Sequence, residues 1–261
     1  MVNRVSRTRR ALLRAVLPAL GVLAGTVPQA AAQAARVSVA PTTVKLARQD
    51  ASGLVTLTNS GAAVADFQAS VHAWSNGAGG AIVLDPTGDL VVAPTVFRLE
   101  PGQSRRVRVL SRTPAGPRER TYRLLFSQLP DPAQAGRVGV AMRMELSLPV
   151  FVPPTRRSVS VLVPGAEITA GRLTVRLRNA GNATLTPQHV TMRLLDRDGA
   201  VIASDPVDMW YVLPGEERTL VTVADAAACT RASHVGLELA VDGDRLTVNA
   251  ALRKDGASCG S

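Results

Sequence analysis

The chain has 261 residues and a formal net charge of +10, yet only 3% of it is aromatic. A chain this basic invites a nucleic-acid reading, but so few aromatic side chains cannot build a stacking platform for bases, and nucleic acid is set aside as a partner.

The N-terminus reads as an export signal. Arg4, Arg7, Arg9, Arg10 and Arg14 precede an apolar run from Ala15 to Val27 that contains no acidic residue. That run falls short of the ~20 residues a bilayer span needs, so it is read as a cleaved leader rather than an anchor. The frames Ala30-Ala31-Ala32 and Ala32-Gln33-Ala34 put cleavage after Ala32 or Ala34, which makes residues 1–34 the leader. Losing its five arginines lowers the formal charge from +10 to about +5, so much of the basicity belongs to export. About 227 residues remain, enough for two domains that each bury a core.

After the leader, Val37 and Val39 are apolar at odd positions whereas Val44 and Leu46 are apolar at even ones. The phase flips at Pro41, which predicts a first strand that breaks and crosses from one sheet to another. Short alternating runs come next, among them Val55-Thr56-Leu57, Val107-Arg108-Val109 and Leu173-Thr174-Val175-Arg176-Leu177. They are bounded by Gly, Pro, Asn and Asp, and the chain beyond the leader has no comparable amphipathic helix pattern. The expectation is an all-β fold of antiparallel sandwiches. Arg105, Arg106 and Arg108 form a short basic cluster, read as the solvated face of one strand.

The most informative stretch runs from Val138 to Leu148, where Val138, Val140, Met142, Met144, Leu146 and Leu148 occupy every even position. In a strand all six side chains emerge from one face. About eleven residues is long for a sandwich strand, whose usual length is ~5–6. A core can use three or four of the six, which leaves an exposed apolar ridge suited to pairing with another chain.

An internal repeat divides the chain. Val55-x-Leu57-x-Asn59-x-Gly61 recurs as Val175-x-Leu177-x-Asn179-x-Gly181, and Leu99-Glu100-Pro101-Gly102 is echoed by Leu213-Pro214-Gly215. The repeat implies two related sandwiches, with the join placed at Val152 to Arg157, where Pro153-Pro154 stiffens the chain and Arg156-Arg157 solvates it. The expected domains are residues 35–153 and 154–261.

Cys229 and Cys259 are the only cysteines, and export carries them to an oxidising compartment, where they are expected to bond. Neither a C-x-x-C redox spacing nor a zinc-like ligand set is present, so no metal and no cofactor is expected. His72, His189 and His234 have no nucleophile elbow or acidic pair placed beside them, and the chain is read as a non-enzyme with no small-molecule substrate.

Several segments of the first half resemble the PapD-like periplasmic pilus and fimbrial assembly chaperones, in the archaic chaperone–usher branch with the spore-coat-type fibres. They are Val39-x-Pro41-x-x-Val44-x-Leu46, Val55-x-Leu57-x-Asn59, Pro94-x-x-Phe97-x-Leu99-x-Pro101-Gly102 with Val107-Arg108, Glu119-Arg120-x-Tyr122-Arg123-Leu124-Leu125-Phe126 with Pro130, and Ser147-Leu148-Pro149-Val150-Phe151-Val152. The resemblance implies two immunoglobulin-like domains and a periplasmic chaperone that stabilises fimbrial subunits by donor-strand complementation before delivery to an outer-membrane usher. It makes Val138, Val140, Met142, Met144 and Leu146 the subunit-binding strand, a known mode of strand addition. The family also holds the subunit's C-terminal carboxylate with two basic residues, and here the chain departs from the pattern. Thr43 falls at the first of those positions and Ser147 or a neighbour at the second, and the nearest basic side chains, Lys45 and Arg143, are the candidates for a displaced anchor; read by themselves they are exposed strand charges. The alternative reading is a secreted structural or adhesive fibre component built from the same sandwiches. A third is a surface binding module, which the scarcity of aromatics disfavours.

Overall fold

The computed structural model describes residues 36–46, 51–77, 80–131, 142–241, 243–254 and 259. The leader of residues 1–34, Val138 and Val140 lie outside the described residues.

The first sandwich contains β1 (Val37–Ala40), β2 (Val44–Lys45), β3 (Ser52–Asn59), β4 (Ala65–Asn76), β5 (Ile82–Pro86), β6 (Leu90–Ala93), β7 (Val96–Leu99), β8 (Ser104–Ser111), β9 (Arg120–Gln128) and β10 (Glu145–Val152). One sheet runs β1-β3-β8-β6, and the other runs β2-β10-β9-β4-β5 with β7 also paired to β4. The phase change at Pro41 has the predicted result: β1 pairs antiparallel with β3 in one sheet, while β2 pairs parallel with β10 in the other. Alternation decides what is buried. Val55 and Leu57, Val107 and Val109, and Tyr122, Leu124 and Phe126 point inward and are almost fully buried, with Phe67, Phe97 and Leu99 between them. Burying that much apolar surface is what holds the two sheets together.

The second sandwich repeats the plan with β11 (Val161–Thr169), β12 (Arg172–Asn179), β13 (Pro187–Leu195), β14 (Val201–Pro206), β15 (Glu217–Val223), β16 (His234–Val241), β17 (Asp244–Ala251) and β18 (Arg253–Lys254). Its sheets run β15-β12-β11-β18 and β14-β13-β16-β17. Ile168, Leu173, Val175, Leu177, Leu237 and Leu239 form its centre. The expected strands around Val55, Val107 and Leu173 therefore lie inside β3, β8 and β12. One element has no counterpart among the sequence expectations, the short helix α1 (Ala226–Arg231), whose first turn is capped by Asp225 accepting from the Ala228 amide at 2.7 Å. Cys229 on α1 is bonded to Cys259, 30 residues on, which ties the C-terminal tail to the second core.

The repeat has a structural meaning. Asn59 Nδ2 donates to the carbonyls of Ala63 and Leu99, and its Oδ1 accepts from Gly61 N at 3.0 Å. Asn179 makes the same three bonds, to the carbonyls of Ala183 and Val212 and from Gly181 N at 3.0 Å. The echoing turns complete each corner: Gly102 N donates to Asn59 O and Gly215 N to Asn179 O. Both glycines sit at positive φ, 76° and 78°, where a side chain would be strained. Each asparagine is fully buried, so its amide is satisfied entirely by protein.

Candidate functional site

The even-numbered ridge is read most directly from exposure. Val150 and Leu148 are buried in the first core, Leu146 and Met144 are half-buried against it, and Met142 is 91% exposed. Among the described residues, the core therefore uses Leu148 and Val150 and leaves Met142 to solvent. The strand also differs from the expected one, since β10 spans Glu145–Val152 rather than Val138–Leu148. The reason lies in its neighbour. β9 ends at Gln128, which still bonds Met144 through Gln128 N to Met144 O at 2.8 Å, and beyond it come Leu129 and Pro130. Past that point β9 offers Met142 no partner.

The other side of β10 is open for most of its length. Among the described residues its second neighbour is β2, which meets it only at Val150 and Phe151, with Leu46 N donating to Phe151 O at 2.9 Å. Antiparallel strands alternate their hydrogen-bonding direction residue by residue. With Met144 facing β9, the backbone groups of Glu145 and Ser147 and the carbonyl of Pro149 face outward, as Phe151 does toward Leu46. Pro149 fits this pattern because its missing N–H falls on the side without a partner strand. An edge carrying free donors and acceptors beside an apolar ridge can accept one more strand.

Phe151 points to the opposite face, into the junction with the second sandwich. There Trp74, Phe151 and Leu213 are buried together with Tyr211 and Leu84 against them. Trp74 meets Tyr211 edge-on at 5.6 Å, and Phe151 lies 5.8 Å from Tyr211. Arg123 is 3% exposed and its guanidinium stacks over Trp74 at 3.9 Å. Its Nε and Nη2 make no hydrogen bond within the described chain, so the indole face is its electrostatic partner, and burial lowers its pKa. Polar bonds finish the joint: Asn76 Nδ2 donates to Glu216 Oε2 at 2.6 Å, and Arg118 donates to Pro214 O.

Beside this junction is a cavity of about 250 Å³ lined by Lys45, Glu119, Phe151, Pro153, Pro154, Arg157, Thr184 and Thr186. The Glu119 carboxylate accepts from Thr184 N at 2.8 Å. Burial pushes its pKa above the ordinary carboxylate value, and the Thr184 amide with the charges of Lys45 and Arg157 only partly offsets that. The two candidate anchor residues are not brought together. Lys45 pairs with Phe151, whereas Arg143 precedes β10, eight residues back and roughly 26 Å away along an extended chain. Arg157, which the sequence suggested only as a solvated linker charge, is the basic side chain that shares the cavity with Lys45. Thr43 Oγ1 lies 3.4 Å from the Tyr211 hydroxyl, and Ser147 is exposed on the open edge.

Residues 36–157 match the family model described as the pili and flagellar-assembly chaperone, PapD N-terminal domain. The first sandwich belongs to the PapD family. No curated protein sequence matches the chain. Solved structures of fimbrial and pilus chaperones share the architecture of both sandwiches. The class 5 fimbriae chaperone CfaA has a TM-score of 0.59 at 14% identity, covering 83% of this chain and 99% of its own. The Salmonella enterica SafB chaperone–SafA pilin complex gives 0.55 at 16% identity over 85% and 99%. The Acinetobacter baumannii CsuC–CsuE complex of chaperone and tip adhesion subunit, from archaic Csu pili, gives 0.53 at 16% over 84% and 99%. At these identities the likeness is one of fold.

Proposed function

We propose that this protein is a periplasmic chaperone that binds and stabilises fimbrial or pilus subunits by donor-strand complementation, then delivers them to an outer-membrane usher. The first sandwich, residues 35–153, is the chaperone domain, and residues 154–261 form the second domain that walls the cleft. The observation that carries the reading is the open edge of β10 leading back to the exposed side chain of Met142. Main-chain groups of Glu145, Ser147 and Pro149 supply bonds to an added strand, while Met142 and its even-numbered neighbours Val138, Val140, Met144 and Leu146 supply apolar contacts. Methionine suits the task because its unbranched, polarisable side chain adapts to imperfect pockets. The first sandwich has its own complete pair of sheets, which favours a strand lender over a fibre subunit that must borrow one.

Lys45 and Arg157, which line the same cavity, would meet a subunit carboxylate together in this reading, in place of the pair Lys45 and Arg143.

Met142→Glu tests the central claim. Because Met142 is 91% exposed, the variant is expected to melt within a few degrees of the parent. A charge carried into an apolar groove is strongly disfavoured, so co-purification of the subunit from a periplasmic extract should be lost. A folded variant that retains its subunit at parental affinity refutes strand lending at this position.

A further inference from the structure

We infer that Met142, with Met144 behind it, is a reversible oxidation site through which peroxide turns subunit capture off. The inference rests on the strand-lending reading above. The chain has five methionines, of which Met1 belongs to the leader. Met192 is 2% exposed inside the second core, Met209 packs against that core, and Met144 is half-buried against the first. Met142, at 91% exposure, is the one described thioether that solvent reaches without obstruction. No thiol competes with it, because both cysteines of the chain are consumed in the Cys229–Cys259 disulfide. A small oxidant therefore meets Met142 as the first soft nucleophile on the surface.

The chemistry is a two-electron oxygen transfer. A lone pair on the Met142 sulfur attacks one oxygen of the peroxide, the O–O bond breaks, an S=O bond forms, and the second oxygen leaves as water. The thioether is oxidised to the sulfoxide and the peroxide is reduced. The product is polar and chiral, and it stands in a ridge whose other members, Met144, Leu146 and Leu148, are apolar. For the protein alone the change is harmless, since Met142 contributes nothing buried to its own core. For a partner groove it is not, because a sulfoxide oxygen taken from water without a donor is costly. Methionine sulfoxide reductases reverse the step, so the block is reversible.

The test uses the secreted, full-length mature protein and its co-purified subunit partner. After brief exposure to dilute hydrogen peroxide, peptide mass spectrometry should find oxygen on Met142 first, on Met144 later, and none on Met192. Subunit capture should fall about tenfold or more, with the melting temperature unchanged, and recover on treatment with a sulfoxide reductase. In the volume-conserving double variant Met142→Leu and Met144→Leu, whatever capture the variant shows before peroxide should be the same after it. Oxidation of Met192 as early as Met142, full capture by protein oxidised at Met142, or peroxide sensitivity that persists in the leucine variant would each overturn the inference. These outcomes leave the strand-lending reading to be judged by Met142→Glu, which needs no oxidant.

Discussion

Asn59 and Asn179 hold equivalent corners of the two sandwiches with the same three bonds, but the strands that finish those sandwiches differ. In the second, β17 pairs with β16 from Asp244 to Ala251, with Arg245 on its outward face reaching the carboxylate of Glu238 at 2.6 Å. The chain then crosses as β18 to pair with β11, and the disulfide fastens the C-terminal tail at Cys259. In the first, β10 has a neighbour on one side only for most of its length among the described residues, and Met142 lies exposed beyond that neighbour's end. The shared corner answers to folding, which both sandwiches need. The unshared edge answers to function: β17 is also the last strand of its sheet but is blunted by the charged Arg245–Glu238 pair, whereas β10 leads to the exposed apolar side chain of Met142.

The largest expected effect breaks what is common. Asn59→Ala and Asn179→Ala each remove three hydrogen bonds and leave buried carbonyls and an amide unsatisfied, at about 1–3 kcal/mol for each orphaned group. Each should destabilise its own sandwich by about 3–5 kcal/mol in chemical denaturation, and only Asn59→Ala should also cost subunit capture in proportion to the unfolded fraction. Equal loss of capture from Asn179→Ala would show that the corners are not independent.

Next in size is the staple that only the second sandwich has. Replacing Cys229 and Cys259 with serine should cost about 2–4 kcal/mol by opening a loop of 30 residues, and subunit capture at low temperature should be unaffected. Smaller again is the contrast between edges. Leu246→Ala on β17 removes a half-buried side chain packed on its core and should cost about 1–2 kcal/mol, while Met142→Ala should change stability by less than about 0.5 kcal/mol. A comparable cost at Met142 would place it in the core and remove the distinction.

The parts of this fold that were legible in the sequence are those with local period. Alternation located β3, β8 and β12, the flip at Pro41 gave the crossing of the first strand between sheets, and the Asn-x-Gly repeat marked both corners. The start of β10 was not legible because the pattern 138–148 is continuous, and what ends the pairing is the departure of β9 at Leu129 and Pro130, a property of another strand. The junction was invisible for the same reason. Trp74, Arg123, Phe151 and Tyr211 come from four separate stretches, and no spacing links Lys45 to Glu119 and Arg157. Helix α1 left one readable trace, Asp225 before three alanines, too short a segment to register as a period.

The smallest effect concerns the cleft that joins the two sandwiches. Burial raises the Glu119 pKa in the folded protein above its ordinary value. Between the unfolded and folded values the native state holds a proton that the unfolded chain has released, so the native state binds more protons and its stability falls as pH rises through that window. Above the raised value the loss is complete and constant. Glu119→Gln keeps an oxygen to accept from Thr184 N but cannot ionise, so it escapes that loss. Parent and variant should melt together near pH 4, and the variant should gain progressively as pH rises, reaching a steady advantage by neutrality. Thermal melts across that range decide it. A variant that is less stable at neutral pH would mean that the attraction of Lys45 and Arg157 for the carboxylate outweighs its burial, and the cleft would then be an ion-paired hinge rather than a strained one.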